Sequence, residues 1–433
     1  MLTVIMAGGK GTRISSVISN VPKPMIPVDG KPVLEREILS LRDQGFMDII
    51  ISISHLGEII TDYFGDGSRL GVHIEYYKEK KPLGNAGALF KIRNDFGSEP
   101  FLLINGDAVF DVDFNRFLRF HQGKGAEVSL LTHPNSHPYD SGIIIADEND
   151  AVINWLTKED VRPEWYQNCV NAGLHIIDPV ILDRSGINPD EIGKEINGSY
   201  ITADLDRNLL KPLCGTGTMF SYNSPEYVKD MGTPDRLNSV IKDLNSGVVE
   251  AKSLRHKQKA VFLDRDGTIN QYVGFLRDIN EFELLPGVAE AIRTINKSGY
   301  LAIVVTNQPV IARGEVTIEQ LKLIHNKMET LLGKEGAYLD AVYFCPHHPH
   351  KGYEGEVQEL KVECDCRKPK PGMLLRAKED YNIDLENSWM VGDGKNDIIA
   401  GQSAGCHTAL IGSKNYGQEA TCHSLLEFVT SVL

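Results

Sequence analysis

Two aspartates two positions apart, Asp264 and Asp266, directly follow the apolar run Val261-Phe262-Leu263. A strand ending there would present both carboxylates to one site. Asp264 could attack phosphorus and form an aspartyl phosphate. Asp266 could protonate the leaving oxygen and later activate water. Carboxylates so crowded repel, and a Mg²⁺ ion relieves the repulsion. Asp393, after Met390-Val391-Gly392, fits as the more distant metal ligand. Lys368 can neutralise the phosphate, and Thr306-Asn307, ending another apolar run, can hydrogen-bond its oxygens. Solvated turns account for any one of these residues alone but not for the ordered set.

A second cluster joins Cys345-Pro346-His347 to Cys364-Asp365-Cys366. Three sulfurs and one imidazole suit a closed, tetrahedral structural Zn²⁺ site, with Cys345, His347, Cys364 and Cys366 as ligands. His348 and His350 compete with His347, and free core cysteines are the plain alternative. The loop between the pairs is glycine-containing and charged, so a metal staple is physically reasonable. Its position beside Arg367-Lys368-Pro369 would let the metal fix the active-site rim.

A third constellation lies near the start. Gly8-Gly9-Lys10-Gly11-Thr12-Arg13 follows a short apolar strand. Glycines let backbone N–H groups approach a pyrophosphate. The run has neither the lysine-serine/threonine ending of a P-loop nor the dinucleotide fingerprint. Lys23 stands between Pro22 and Pro24, which restrict the backbone around it. A fixed ammonium there suits charge growing on phosphoryl oxygens. Asp107 ends the apolar run 101–104 and is a natural Mg²⁺ ligand, with Asp230 as a second carboxylate.

The elements that must carry these residues follow from apolar patterning. Strands are expected at 2–6, 48–53 and 101–104, with a helix from Pro32 through Leu34, Ile38 and Leu41 that Gly45 stops. The same grammar restarts at 261–263, with a helix from Pro286 to Gly299, strands at 301–305 and 388–391, and a helix over 317–332. Strand, helix, strand at this spacing predicts α/β units with mostly parallel sheets, whose ligands sit at the carboxyl ends of strands. We expect a domain over 1–242, a linker over 243–258 and a second domain over 259–433.

With 45 basic and 59 acidic residues, the formal net charge of −14 argues against a nucleic-acid binder. No apolar run approaches the roughly 20 residues needed to span a bilayer. The start has no basic n-region, and seven cysteines do not form an even disulfide framework. A cytoplasmic protein is expected.

The N-terminal motifs, Gly8 to Arg13, Pro22-Lys23-Pro24-Met25, Gly84-Asn85-Ala86-Gly87 and Asn105-Gly106-Asp107, resemble the sugar-1-phosphate nucleotidyltransferases. That resemblance implies a Rossmann-like, GT-A-like domain. It implies that Gly8, Gly9, Gly11, Thr12, Gly84 and Asn105 bind the nucleotide and that Arg13 contacts the triphosphate. It implies that Lys23 meets the reacting phosphoryl group and that Asp107 and Asp230 hold Mg²⁺. Lys158, Asn171 and Gly173 would face the sugar phosphate. Asn85 stands where threonine is common and Ile14 where leucine is usual.

The C-terminal motifs, Asp264 to Asn270, Thr306-Asn307-Gln308, Ile311-Ala312-Arg313-Gly314 and the Cys/His pairs with Arg367-Lys368-Pro369, resemble heptose-1,7-bisphosphate 7-phosphatases of the haloacid-dehalogenase superfamily. The resemblance implies a Rossmann-like domain with a zinc loop, Asp264, Asp266 and Asp393 at Mg²⁺, and Lys368 at the phosphate. Thr306, Asn307, Arg313 and Arg367 would bind substrate, Arg367 at the remote phosphate. The departures are Pro309-Val310 after Gln308 and Gly394 after Asp393.

Together the resemblances imply one sequence of reactions: a bisphosphate loses its 7-phosphate and the remaining 1-phosphate is coupled to a nucleotide. The expected partners are a phosphosugar and a nucleoside triphosphate, GTP and the α anomer first, with homo-oligomerisation open and neither nucleic acid nor membrane involved. Another phosphosugar or nucleotide, histidinol phosphate, or a scaffold of degenerate domains are the alternatives.

Overall fold

The computed structural model describes residues 1–8, 21–28 and 30–433. The chain forms two units: Met1–Thr132, Ile144–Trp155 and Asn171–Val249 make the first, and His133–Ile143, Leu156–Val170 and Glu250–Leu433 the second.

The first unit is built on strands β1 (Thr3–Met6), β2 (Asp48–Ile53), β3 (His73–Lys78), β4 (Phe101–Asn105), β5 (Ala108–Asp111), β6 (Val128–His133), β7 (Ile143–Ala146), β8 (Val152–Leu156), β9 (Val170–Ile177), β10 (Met219–Asn223) and β11 (Tyr227–Asp230). The main sheet runs β8-β7-β9-β4-β1-β2-β3, with β6 joining β9 to β10, while β5 and β11 pair separately. The β4-β1-β2-β3 part is parallel. Its strands are near-continuous apolar runs, as burial on both faces demands: Ile49, Ile50, Ile51 and Ile53 are all buried. Helix α1 (Val33–Arg42) buries Val33, Leu34, Ile38 and Leu41, the spacing of one helical face. Antiparallel β9 pairs with β4, Leu174 opposite Ile104, which brings Asn171 and Gly173 toward the strand end that carries Asn105. The β5–β11 register sets Asp230 opposite Ala108, the residue after Asp107.

In the second unit β12 (Lys259–Leu263), β13 (Tyr300–Asn307), β14 (Ala341–Cys345), β15 (Trp389–Gly392), β16 (His407–Ile411) and β17 (Ala420–Cys422) form one parallel sheet ordered β14-β13-β12-β15-β16-β17. Period-two alternation splits its residues between two cores. Val261, Leu263, Ala302 and Val304 pack on one face, and Ala260, Phe262, Leu301, Ile303 and Val305 on the other. The helices α2 (Val288–Asn296), α3 (Ile318–Lys334) and α4 (Gly372–Tyr381) contribute apolar residues to these cores. A reciprocal capping box starts α3: Gln320 N–H donates to Thr317 Oγ1 at 3.2 Å and Thr317 N–H to Gln320 Oε1 at 2.8 Å. The strand order reverses at β12, so the carboxyl ends of β12, β13 and β15 open onto one crevice.

Two expectations about organisation differ from the structure. The stretch expected as a linker is largely built: one helix spans Pro234–Asn245, another Val248–Ala251, and Val248, Val249, Lys252, Ser253 and Leu254 are buried. Its turn-rich composition hid an apolar spacing that packs. The expected first domain is also not one block, because 133–143 and 156–170 group with the second unit. Within that unit Asn168 N–H donates to Glu329 Oε2 at 2.7 Å and Tyr166 N–H to Thr330 Oγ1 at 2.9 Å, both on α3.

Candidate functional sites

In the first unit the short turn Lys23–Met25 sets Lys23 Nζ 3.0 Å from Asp107 Oδ2. The lysine is 17% and the aspartate 35% exposed, so the pair is reachable by a ligand. Asp230 accepts two hydrogen bonds from Arg236 Nη1, at 2.9 and 2.7 Å, and one from Gly232 N–H. Met231 N–H donates to the Asp107 carbonyl at 3.0 Å, tying the two aspartate-bearing turns together. A carboxylate pair on adjoining turns fits a divalent cation that keeps phosphate oxygens among its ligands. Gly9, Gly11, Thr12 and Arg13 lie outside the described residues.

Gly84 has φ +83, and a Cβ there would lie 2.3 Å from the Ala203 carbonyl oxygen, so only glycine fits. The Asn85 amide oxygen is occupied internally: it accepts Leu205 N–H at 2.8 Å. Asn171 Oδ1 accepts Gly173 N–H at 3.2 Å and lies 3.1 Å from His175 Nε2. The Asn105 side chain crosses above Gly173, where a Cβ would meet its Nδ2 at 2.5 Å. Asn105, Asn171 and Gly173 therefore meet. Lys158 lies in the stretch grouped with the second unit, 62% exposed, 3.6 Å from Asp140. Glu37 on α1 went unnoticed in the sequence: it is buried, neither carboxylate oxygen has a hydrogen-bond partner among the described residues, and burial, then Asp107, pushes its carboxyl well up.

In the second unit a cleft of about 310 Å³ opens at the carboxyl ends of β12, β13 and β15. Lys368 Nζ lies 2.8 Å from Asp264 Oδ1 and 2.6 Å from Asp397 Oδ1, with the lysine 2% exposed. Burial works against that ammonium, but Asp264 and Asp397 outweigh it and hold it up to about 12. Burial, then the Asp397 charge, pushes Asp264 up to about 6 against the pull of Lys368. Burial, then Asp264, pushes Asp393 up to about 6 as well. Carboxylate oxygens of Asp264, Asp393 and Asp397 lie within 4.8 Å of one another, a charge density that a divalent cation relieves. Gly267, φ +84, lets the Asp264 loop pass under Asp393, whose Oδ2 lies 2.3 Å from where a Cβ would sit.

Asp266 is held by a separate set of partners. Its carboxylate accepts from Arg265 Nη2 at 2.9 and 2.8 Å, from Asn270 Nδ2 at 3.1 Å and from Gln308 Nε2 at 2.9 Å. Its side chain is thus outside the three-carboxylate cluster, although it lines the cleft. Thr306 lines the cleft and accepts from Gln308 Nε2 at 2.9 Å. Both ends of the Asn307 amide are taken by the Lys368 main chain, at 2.9 and 3.0 Å, so it sets the lysine's position. Arg313, expected to bind substrate, is not on the cleft lining: it is buried behind Phe275. Asp397, Arg265, Gln308 and Phe275 were not singled out from the sequence. Only Asp397 had a signal, four residues beyond Asp393 in the first turn of helix α5 (Lys395–Ala404).

Cys345, His347, Cys364 and Cys366 converge. Their sulfurs are 3.6, 3.2 and 3.4 Å apart, and His347 Nδ1 is 3.7 and 3.3 Å from Cys345 and Cys366. Ligands at about 2.3 Å from a tetrahedral ion would be about 3.8 Å apart, so the set fits a structural metal. His348 Nδ1 instead donates to the His350 carbonyl at 3.2 Å. Arg367 Nη1 donates to the His347 carbonyl at 3.1 Å, which links the Cys/His cluster to a residue of the cleft lining.

Residues 2–247 match the nucleotidyl transferase family, and residues 365–426 match the HAD-hydrolase-like family. Over 152 residues the chain is 43% identical to the D-glycero-beta-D-manno-heptose-1,7-bisphosphate 7-phosphatase of Salmonella typhi, covering 35% of this chain and 79% of that protein. The enzyme of the same name from Escherichia coli strain K12 is 44% identical over 152 residues, covering 35% and 78%. The crystal structure of HddC from Yersinia pseudotuberculosis superposes with a TM-score of 0.46 at 24% identity, covering 56% of this chain and 99% of that one. The chain belongs to the nucleotidyl transferase family and, through its C-terminal part, to the heptose-bisphosphate phosphatases of haloacid-dehalogenase type, which makes it a bifunctional transferase and phosphatase.

Proposed function

We propose that the second unit removes the 7-phosphate of D-glycero-D-manno-heptose 1,7-bisphosphate and that the first couples the resulting 1-phosphate to GMP from GTP, giving GDP-heptose and pyrophosphate. The observation that carries the reading is the cleft built on Asp264, Lys368 and Asp397, in a stretch 43–44% identical to phosphatases named for that bisphosphate.

Asp264 attacks the 7-phosphorus in line and the sugar 7-oxygen leaves, taking its proton from Asp266. Water then attacks the aspartyl phosphate, with Asp266 receiving its proton, and phosphate departs. Lys368 stays charged next to the transferring group and balances its oxygens. Mg²⁺ held by Asp264 and Asp393 would supply further charge neutralisation. Arg367 suits the remote 1-phosphate, and Zn²⁺ in the three-cysteine, one-histidine set would hold the loop behind it.

In the first unit a heptose 1-phosphate oxygen attacks the α-phosphorus of GTP and pyrophosphate leaves. Lys23 neutralises the reacting phosphoryl group, and Asp107 with Asp230 would hold Mg²⁺ there. Asn105, Asn171 and Gly173 face the sugar side, and Arg13 with Gly8, Gly9, Gly11 and Thr12 the triphosphate. Seven cysteines, an odd number, three of them clustered with a histidine, support a reducing, cytoplasmic setting, and no helix among the described residues is long and apolar enough to cross a membrane.

The guanylyltransferase resemblance favours the α anomer, whereas the phosphatase relatives carry β in their names. A coupled assay decides both points. Each anomer of the bisphosphate is supplied with Mg²⁺ and one of GTP, ATP, CTP or UTP, and phosphate, pyrophosphate and nucleotide-sugar are followed. GDP-heptose from the α anomer is expected. Another nucleotide or the β anomer would correct the specificity, and no phosphate release from either anomer would sink the substrate.

A further inference from the structure

Phe275 lines the cleft yet is 42% exposed, on a loop with exposed Tyr272 and Val273. What backs its ring is a cation. The Arg313 guanidinium carbon lies 4.0 Å from the Phe275 ring centre and 4.5 Å from that of Tyr353. Arg313 is 9% exposed, and its Nε has no hydrogen-bond partner among the described residues. Arg313 Nη2 reaches His348 Nε2 at 3.5 Å. A guanidinium so desolvated gains most from aromatic faces.

Tyr353 is fixed in turn. Lys361, 5% exposed, lies 4.5 Å over its ring and 3.3 Å from Glu356. Glu356 accepts the Tyr353 N–H at 3.1 Å. His348, Tyr353, Glu356 and Lys361 belong to the loop between the two pairs of metal-binding residues.

We propose that Tyr353 and Arg313 are positioning residues for the phosphatase: a stack of ring, guanidinium and ring through which the metal-binding loop holds Phe275 as the cleft wall. The stack controls how well a sugar seats and leaves the phosphoryl chemistry of Asp264 and Lys368 untouched. It rests on the reading of the cleft as a phosphosugar site, but its mechanical part stands apart from which sugar binds.

The test uses the full chain with Tyr353→Leu, which removes the aromatic face, and Tyr353→Phe, which keeps it. Hydrogen exchange of residues 271–277 is measured first. Exchange there should quicken about three- to tenfold in Tyr353→Leu and match wild type in Tyr353→Phe. Metal content at the cysteine cluster should be unchanged in both. KM for heptose bisphosphate should then rise by a similar factor in Tyr353→Leu, with kcat on para-nitrophenyl phosphate within about twofold of wild type. Unchanged exchange, or loss of metal together with both activities, overturns the proposal. A wild-type enzyme that does not turn over heptose bisphosphate would defeat the substrate reading, and the exchange result would still decide the stack.

Discussion

Each unit places a lysine against an aspartate at the carboxyl end of a parallel strand, but the two pairs differ in their surroundings. Lys23 and Asp107 are 17% and 35% exposed, and among the described residues Lys23 meets a single carboxylate. Lys368 is 2% exposed and bridges Asp264 and Asp397, themselves 14% and 4% exposed. The open pair can follow a large nucleotide and its pyrophosphate, and water screens it. The buried triad is set before any substrate arrives, at the cost of crowding charges that raise Asp264 and Asp393. A small transferring phosphoryl group gains most from the second arrangement.

The sharpest way to break this comparison is to remove each centre separately. Asp264→Asn should lower phosphate release by at least about 10⁴-fold and leave nucleotide transfer from added heptose 1-phosphate intact. Lys23→Ala should do the reverse, with a transferase loss of about 10²- to 10³-fold. Loss of both activities from either change would contradict two separately working sites.

Next come the partners. Asp397→Asn strips a buried charge from Lys368 and should cut phosphatase kcat about 10²-fold. Arg236→Ala removes the guanidinium from the part-exposed Asp230 and should cost the transferase no more than about tenfold in kcat/KM. Equal effects would mean that burial does not separate the sites.

The raised carboxyls give a pH signature. In the fold Asp264 and Asp393 titrate near about 6, above the ordinary carboxylate value of 3.8. The protonated forms therefore favour folding, and that contribution is lost as pH rises from about 4 through 6. A divalent cation opposes the loss, so added Mg²⁺ should raise the thermal midpoint more at pH 7.5 than at pH 5. A shift independent of pH would remove these groups as the cation's ligands.

The smallest effect lies at Glu329. Burial pushes its carboxyl up to about 7, against the Asn168 N–H that it accepts. Its contribution to stability is present below the unfolded value and is lost as pH rises through about 7. Glu329→Gln should raise the midpoint by about 2 °C at pH 8 and leave it nearly unchanged at pH 4. No gain at pH 8 would show that the charge is met by other means.

Much of this was legible in the chain. Apolar runs ending in Asp107, Asp264, Thr306 and Gly392-Asp393 announced strands that end in polar groups, because a doubly buried strand has to be apolar until it emerges. The Cys and His spacing announced one cluster, since a close pair at each end of a loop can share a metal. The helical seam of 243–258 was not legible, because turn residues and polar charge masked a few spaced apolar side chains. The standing of 133–143 and 156–170 was also hidden. It rests on hydrogen bonds to α3, more than 150 positions away in sequence for Asn168 and Tyr166.

The sequence by itself determined which chemical groups are present and which strand end delivers each, because residue type and periodicity are local properties. Tertiary structure alone decided which of those groups are free to act. Asn85 spends its amide oxygen on Leu205 and Asn307 its whole amide on Lys368, Arg313 stands between two rings and not in the cleft, and Asp397 completes a triad with Lys368 and Asp264. A side chain's availability depends on partners that only packing brings within hydrogen-bond reach.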